Sequence, residues 1–296
     1  MTKATHSLAA LNAASHADFV AALGDVFEHA PWVAAAVADE RPFATVAALH
    51  GALILAVRTA PRETQIKFVR GHPELGGKAA RTGAVTEASK VEQGSLGLDR
   101  LGEEEFARFE RLNLAYRARF GFPFIICVRR HTRDSVLARF EQRLGNDADA
   151  ELAAALAEIA LITRLRLVAK VDGPGMPVTC GELTTHLIDT LHGRPADGVG
   201  LTLYEIGARG IGLLMRTATN RNGGTDRPLM ADAPLRIGTY ELHIEAGAYF
   251  AARGASLPRP PFLDVVPIRF AIAEPEGSYH VPVRMTPWSY TTYRGS

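Results

Sequence analysis

The chain contains 296 residues, of which 47% are apolar and 22% are charged, a composition typical of soluble globular proteins. Its 33 lysines and arginines are nearly balanced by 32 aspartates and glutamates, and the net charge of +1 argues against general nucleic-acid binding, which usually needs a basic excess. A chain of this length predicts two domains, each large enough to bury a core. The two cysteines, Cys127 and Cys180, lack metal-site spacing, so we expect free thiols in a reducing, cytoplasmic compartment.

Residues 1–170 are expected to form an all-α domain. Their first residues lack the apolar run of a signal peptide, and the apolar stretch 44–57 predicts a buried helix that is too short to span a membrane. Residues 149–168 carry apolar side chains at spacings of three and four, which predicts a long amphipathic helix. Residues 103–120 predict a second such helix, with its apolar stripe formed by Phe106, Phe109, Leu112 and Tyr116.

The periodicity changes after residue 170. Residues 171–177 contain two prolines and two glycines, and we place a linker at residues 171–181. Beyond it, apolar and polar residues alternate in the short segments 240–245, 268–272 and 279–285. This period of two predicts an all-β antiparallel sandwich over residues 182–296, and the chain is therefore expected to be multidomain.

Three polar motifs stand out in the helical half. His72 precedes Pro73 in a glycine-rich segment, and Ser89, Glu92 and Gln93 would share one face of a helix. The third motif is an arginine, Arg166, in an otherwise apolar helix. Taken separately, each also fits a structural interpretation: a turn, a solvated or capping face, and an arginine whose charged end reaches solvent.

Residues 11–167 nevertheless resemble the 2-oxo-4-hydroxy-4-carboxy-5-ureidoimidazoline (OHCU) decarboxylase family. The ordered matches include Phe27-Glu28, Arg41-Pro42-Phe43, the run from His72 to Gly76, Ser89 to Gln93 and Phe124 to Val128. The resemblance implies a helical bundle in which His72 is catalytic, with Glu92 and Arg166 as its partners. It also implies a substrate pocket lined by Pro73, Ser89, Lys90, Val91, Glu92, Gln93, Phe124, Ile125, Ile126, Cys127 and Val128.

These residue types suit the decarboxylation of OHCU, whose carboxylate and hydroxyl share one carbon. Arg166 could orient a planar anion, and His72 could move a proton to or from the substrate hydroxyl as carbon dioxide leaves. Glu92 could accept hydrogen bonds from the ureido or ring nitrogens. This chemistry requires no metal and no organic cofactor, and we expect none.

The sandwich half contains two isolated histidines and a polar terminus. His186 lies in a Leu-Thr-Thr-His-Leu run, and His280 lies on a predicted strand whose apolar side chains alternate with it, so it should point away from the core. The chain ends with Tyr293, Arg294, Gly295 and Ser296. Without other information, these would be a core histidine, a surface histidine and a frayed tail.

Residues 180–296 resemble the 5-hydroxyisourate hydrolase family, whose fold is transthyretin-like. The resemblance rests on the LTTHLIDT run, the HVP strand and the terminal YRGS, which distinguishes the hydrolase from the hormone carrier transthyretin. It implies that His186 and His280 are the active-site histidines, and that Tyr293, Arg294 and Ser296 belong to the pocket. It also implies a homo-oligomer, a dimer or a tetramer, that acts on small molecules, with no nucleic-acid or membrane partner.

The loop at residues 220–229 departs from the hydrolase family. Where the family has an active-site arginine this chain has Gly224, and Asn222 replaces the usual aspartate. A shifted Arg221 or Arg227 could supply the guanidinium, and we assign Arg227 to the pocket as the substitute. Otherwise the sandwich is a weakened hydrolase that serves as an oligomerisation module for a decarboxylase. A third alternative, a carrier of hydrophobic ligands, is disfavoured by the YRGS ending and by His280.

Overall fold

The computed structural model of the chain describes residues 5–77 and 86–295. The chain divides into two compact units, which we treat separately. The first comprises Met1–Arg129 and Val136–Thr179, and the second comprises Arg130–Ser135 and Cys180–Ser296. The first unit is helical and the second consists mainly of strands, which confirms the predicted multidomain α plus β architecture.

The first unit is a bundle of helices. These are α1 (Leu8–Ala13), α2 (His16–Leu23), α3 (Pro31–Val37), α4 (Val46–Thr59), α5 (Arg62–Arg70), α6 (Glu87–Gly94), α7 (Glu103–Phe120), α8 (Arg133–Arg143) and α9 (Ala148–Lys170), with short 3₁₀ turns at Ala38–Glu40 and Val128–Arg130. The first residues of α8 belong to the segment that clusters with the second unit. The helices predicted at residues 44–57, 103–120 and 149–168 are present as α4, α7 and α9.

Local sequence explains where several helices begin and end. In five of the helices that the structure describes, a side-chain oxygen caps the first turn and accepts a hydrogen bond from a backbone N–H that would otherwise lack a partner. Helix α7 ends at Gly121, whose φ of 75° is the left-handed conformation that favours glycine. The capping residues are Ser7, Ser15, Thr45, Thr86 and Asp147.

The predicted linker starts inside the first unit. Val171–Asp172 forms a short strand, β2, that pairs in parallel with β1 (His6–Ser7), and Thr179 is the last residue of the unit. The sequence pattern could not predict this pairing, because β1 lies at the opposite end of the unit's sequence and two residues show no periodicity. Among the described residues, no helix has the length and apolarity needed to cross a membrane.

The second unit contains two four-stranded sheets. One has the order β10 (Tyr290–Thr292), β9 (Ser278–Met285), β3 (Glu182–Asp189) and β4 (Arg194–Pro195). The other has the order β6 (Gly210–Ala218), β5 (Gly200–Gly207), β7 (Gly238–Ile244) and β8 (Val266–Ile272), and a short helix, α10 (Ala246–Ala252), follows β7. Alternate residues of β3 and β9 are buried in a common core, which leaves the others on the outer face of their sheet.

Candidate active sites

A pocket in the first unit brings together most residues predicted for the helical half. Helix α6 presents Ser89, Glu92 and Gln93 to it on one face, as their spacing predicted, and helix α9 contributes Ile162 and Arg166. The space among its lining residues is about 390 Å³ when the open mouth is included. The lining residues are His72, Pro73, Leu75, Ser89, Glu92, Gln93, Phe124, Ile125, Ile126, Val128, Ile162 and Arg166.

His72 follows the end of helix α5 and is held in one orientation. Its Nδ1 lies 3.2 Å from the carbonyl oxygen of Phe68, and its ring packs edge-on against the Phe68 ring at 5.1 Å. Burial lowers the pKa of His72 to about 4, although the Phe68 carbonyl and the charge of Glu28 act in the opposite direction. The imidazole is therefore neutral at neutral pH. Because a carbonyl only accepts, Nδ1 carries the proton and Nε2 is left as a base.

Arg166 lies between two carboxylates. Its Nε and Nη2 donate to the two oxygens of Glu92 at 2.8 Å each, in a bidentate pair, and its Nη1 donates to Glu28 at 2.9 Å. The arginine side chain is only 12% exposed. Burial alone would lower the pKa of Arg166, but the hydrogen bonds and charges of Glu92 and Glu28 raise it, so the guanidinium stays cationic. All three nitrogens are engaged, which fixes the position of the Glu92 carboxylate.

Glu28 is a residue of this site to which the sequence analysis assigned no role. It is 4% exposed and accepts hydrogen bonds from Arg166, from the Ser89 hydroxyl at 3.2 Å and from the Thr86 hydroxyl at 2.6 Å. Burial raises the pKa of Glu28, but the bond from Thr86 and the charge of Arg166 outweigh it and hold the pKa below its usual value. The signal for it in the sequence was the Phe27-Glu28 match to the decarboxylase family.

Buried polar residues hold the pocket wall at residues 124–128 in place. Arg143 donates from Nη1 to the Ile125 carbonyl at 2.8 Å, and its guanidinium lies 4.7 Å from the centre of the Phe124 ring. Glu151, which is fully buried, pairs with Arg143 and also accepts from the Tyr116 hydroxyl. This buried network fixes the backbone of the pocket wall, because each of its polar groups is satisfied by a neighbour.

Three residues predicted for the pocket do not line it. Val91 is 72% exposed on helix α6, and the ammonium group of Lys90 pairs with Glu87 at 2.6 Å. The side chain of Cys127 is buried, and its backbone N–H donates to Glu158 at 2.8 Å. For Lys90 and Val91 the helical period explains this, since they fall away from the face of helix α6 that Ser89, Glu92 and Gln93 share.

In the second unit, His186 and His280 lie on the same face of one sheet. Strands β3 and β9 pair in parallel, with Thr184 opposite His280 and His186 opposite Pro282. Their neighbours in sequence are buried, so both histidines point to the outer face, as predicted for His280. His280 bonds through Nδ1 to the Thr184 hydroxyl at 2.9 Å, which leaves Nε2 available on that face.

The loop at residues 220–224 lies against His186. The Nε2 of His186 lies 2.5 Å from the Asn222 carbonyl, and the Leu187 N–H donates to the Gly223 carbonyl at 2.8 Å. Because the carbonyl of Asn222 only accepts, Nε2 carries the proton and Nδ1 is left as a base. At Gly224 an added Cβ would meet only the Thr185 carbonyl, at 3.7 Å, so the position has room for a side chain.

The C-terminal tail reaches His280 but carries Arg294 to the other face. Gly295 donates its N–H to the His280 carbonyl at 2.9 Å, in an antiparallel bridge. Alternation then places Arg294 on the side of Tyr279, where its guanidinium lies 4.5 Å from the ring centre and 3.4 Å from Glu274. The expectation that Arg294 joins the histidines is therefore not met within one chain.

The remaining predicted residues of this half are dispersed. Tyr293 is 62% exposed beside Gly295, and Arg227 is an exposed loop residue whose guanidinium has no partner among residues 5–77 and 86–295. Ser296 lies outside the described residues. Within the described ranges, no group of three or more His, Cys, Asp or Glu side chains is arranged to hold a metal ion.

Known protein families match the two halves of the chain separately, and the boundary between the matches lies near the boundary between the two units. The profile of the OHCU decarboxylase family matches residues 12–168, and that of the HIUase/transthyretin family matches residues 183–295. A 2-oxo-4-hydroxy-4-carboxy-5-ureidoimidazoline decarboxylase from Haloferax volcanii is 40% identical over 152 residues, which are 51% of this chain and 88% of that protein. A 5-hydroxyisourate hydrolase from Pseudomonas aeruginosa is 44% identical over 126 residues, 43% of this chain and all of that protein.

One solved structure is similar along nearly the whole chain. The crystal structure of an (S)-allantoin synthase covers 98% of this chain and all of its own, with 30% identity and a TM-score of 0.54. A protein with both units in one chain is therefore known.

Proposed function

The chain belongs to the OHCU decarboxylase family and carries a C-terminal domain of the HIUase/transthyretin family, and from this premise we propose that it catalyses two consecutive steps of urate degradation. The second unit hydrolyses 5-hydroxyisourate to OHCU, and the first unit decarboxylates OHCU to (S)-allantoin. The observation that carries the proposal is the pocket in which neutral His72, Glu92 and the clamped Arg166 meet.

The decarboxylation follows from the state of His72. The Nε2 of the neutral ring takes the proton of the substrate hydroxyl, the bond to the carboxylate breaks, and carbon dioxide leaves. The electron pair of the broken bond stays on the substrate ring, between the two ring carbons and the ring nitrogen. The same histidine nitrogen returns its proton to the ring carbon that bears the ureido group, and the ring nitrogen takes up one proton from solvent, so the substrate anion gives neutral allantoin and carbon dioxide. Because His72 is held against Phe68, the proton reaches one face of the substrate, which gives a single stereoisomer.

Different parts of the pocket bind the ureido group of the substrate and its carboxylate, which loses its charge when carbon dioxide forms. Both Glu92 oxygens have acceptor capacity left beside Arg166, and they suit the N–H groups of the ureido substituent. The nitrogens of Arg166 are already engaged by Glu92 and Glu28, so the substrate carboxylate is better placed at the apolar wall formed by Phe124 and Ile162. An apolar wall favours neutral carbon dioxide over the anion.

Hydrolysis of 5-hydroxyisourate is assigned to the histidine face. With Nδ1 of His280 bonded to Thr184, its Nε2 can take a proton from water as the water attacks the ring carbonyl, and can then pass that proton to the leaving nitrogen. The Nδ1 of His186, which carries no proton, can accept a hydrogen bond from a ring N–H of the substrate. The outer position of both rings also suits a site completed by a second copy of the chain. We extend the proposal to a cytoplasmic homo-oligomer, a dimer or a tetramer, supported by the exposed Trp288 and Tyr290 near the C-terminal strand. Light scattering that reports a 31.9 kDa particle would contradict the oligomer.

Two variants test the two activities separately. Freshly made 5-hydroxyisourate is supplied, its ultraviolet absorbance is followed, and the chirality of the allantoin is measured. We expect His72→Ala to lose decarboxylation by about 10²–10⁴-fold and keep hydrolysis, and His280→Ala to do the reverse. His16→Gln, at an exposed position on helix α2, is the control. Stereospecific allantoin formation by His72→Ala at the control rate would refute the assignment.

Gly224 favours a second candidate function, a decarboxylase whose sandwich serves only as an oligomerisation module. This chain has a glycine where the family has an arginine, and within 4 Å of an added Cβ at Gly224 there is only the Thr185 carbonyl oxygen. Loss of 5-hydroxyisourate absorbance no faster than in buffer would establish this alternative.

A further inference from the structure

The outer face that carries the two histidines also carries an arginine. Strand β9 alternates, so Arg284 points to the same side as His280 and Pro282, while Val283 and Met285 are buried. In the parallel register Arg284 lies opposite Ile188, two residues beyond the pair formed by Pro282 and His186. The strand spacings put its Cα about 8 Å from that of His186 and roughly 13 Å from that of His280.

Arg284 is exposed and its guanidinium is uncommitted. Over residues 5–77 and 86–295 it has no ion pair and no side-chain hydrogen bond. A guanidinium has five N–H donors in a planar fork, which matches the carbonyl and carboxylate oxygens of a planar ring compound. In this position Arg284 can bind a ligand without first giving up a protein partner.

The other arginines of this sheet and its tail are placed differently. Arg294 lies over the Tyr279 ring beside Glu274, on the opposite face. Arg194 of strand β4 lies opposite Asp189 in the antiparallel register, so it points to the side of the sheet on which the Asp189 side chain is buried. Within the described part of the sheet, Arg284 is thus the arginine that the register puts on the histidine face.

We propose that Arg284 binds the substrate of the hydrolase site and supplies the guanidinium that the loop at Gly224 lacks. This inference rests on the proposed hydrolysis of 5-hydroxyisourate. Pro282 lies between His280 and Arg284 on this face of the strand, so a planar substrate can lie over it with one end at each side chain. The arginine forms charge-assisted hydrogen bonds to ring oxygens that gain negative charge as water attacks.

The test compares three variants. Arg284→Gln removes the charge, Arg284→Lys keeps a charge without the fork, and Arg216→Gln is the matched control, since Arg216 is exposed on strand β6 of the other sheet. We expect Arg284→Gln to lower kcat/KM for 5-hydroxyisourate by about 10–100-fold, with Arg284→Lys in between. Thermal melts and decarboxylation should match the wild type, because an exposed side chain without partners contributes little to folding.

A second-site variant separates a substrate contact from a structural effect. At Gly224 an added Cβ meets only the Thr185 carbonyl oxygen at an ordinary contact distance, so Gly224→Arg introduces no clash at the Cβ. In the Arg284→Gln background we expect Gly224→Arg to restore most of the lost hydrolysis by returning a guanidinium to the site. If the wild type does not hydrolyse 5-hydroxyisourate, the proposed function falls, and this inference with it. If the wild type hydrolyses it and Arg284→Gln behaves as Arg216→Gln does, the hydrolase assignment stands and only the role of Arg284 is refuted.

Discussion

Replacing Glu28 should damage both the stability and the decarboxylase activity of the protein. Glu28 is almost completely buried and joins Arg166, Ser89 and Thr86 in one hydrogen-bonded cluster. Glu28→Gln keeps the shape and one acceptor oxygen but removes the charge, whereas Glu28→Ala removes both. Arg166 then keeps only Glu92 as a charged partner, and its Nη1 loses the bond that sets the tilt of the guanidinium.

The size of the expected loss of stability follows from the hydrogen-bond and charge partners that each variant removes. Breaking a buried ion pair costs about 3–5 kcal/mol when the remaining charge is uncompensated. Here Glu92 still compensates Arg166, so we expect about 2–3 kcal/mol for Glu28→Ala and about 1–2 kcal/mol for Glu28→Gln. Because the guanidinium positions Glu92, decarboxylation should fall by about 10–100-fold in either variant. Hydrolysis of 5-hydroxyisourate should be unchanged.

Chemical denaturation and a chiral allantoin assay measure these effects, with Glu87→Gln on the exposed surface of helix α6 as the control.

The pH dependence of the stability adds an independent measurement. The pKa of Glu28 is lowered in the folded state, so its contribution to stability is present above the unfolded value of about 4.5 and is lost as the pH falls through the folded value. Glu28→Gln should lack this component. Wild-type stability and wild-type decarboxylation in Glu28→Ala would refute the role of the cluster.

Three further predictions concern the histidines. Because the pKa of His72 is lowered to about 4, kcat/KM for decarboxylation should show no inflection at 6.5 and should fall only as the pH approaches 4; an inflection at 6.5 would contradict a buried neutral base. The unfolded state takes up a proton on this histidine below about pH 6.5 while the folded state does not, so the free energy of unfolding should decrease from pH 6.5 towards 4, and less so in His72→Gln. In the other unit, Gly295→Ala would place a methyl group 2.7 Å from Cδ2 of His280, which should lower hydrolysis about tenfold and spare decarboxylation, whereas Gly51→Ala, with open space around it, should change neither. Full hydrolysis by Gly295→Ala would show that the tail does not position His280.

The sequence determined the elements and much of the decarboxylase pocket. Residues 103–120 form helix α7 because their apolar side chains recur at the helical period, and Ser89, Glu92 and Gln93 share a face of α6 for the same reason. Strand alternation likewise predicted the side on which His280 lies. These features depend on neighbours within a few residues, which a single sequence displays directly.

Only the tertiary structure decided which of these residues act together. The bond between Glu28 and Arg166 joins residues 138 positions apart, and neither periodicity nor spacing indicates it. The pairing register of β3 with β9 put His186, His280 and Arg284 on one face, while the bridge between Gly295 and His280 sent Arg294 to the other. Burial, which a sequence pattern indicates only approximately, makes His72 a neutral base. Contacts between distant segments form when the chain packs, and the charge of a buried group depends on all the residues that surround it.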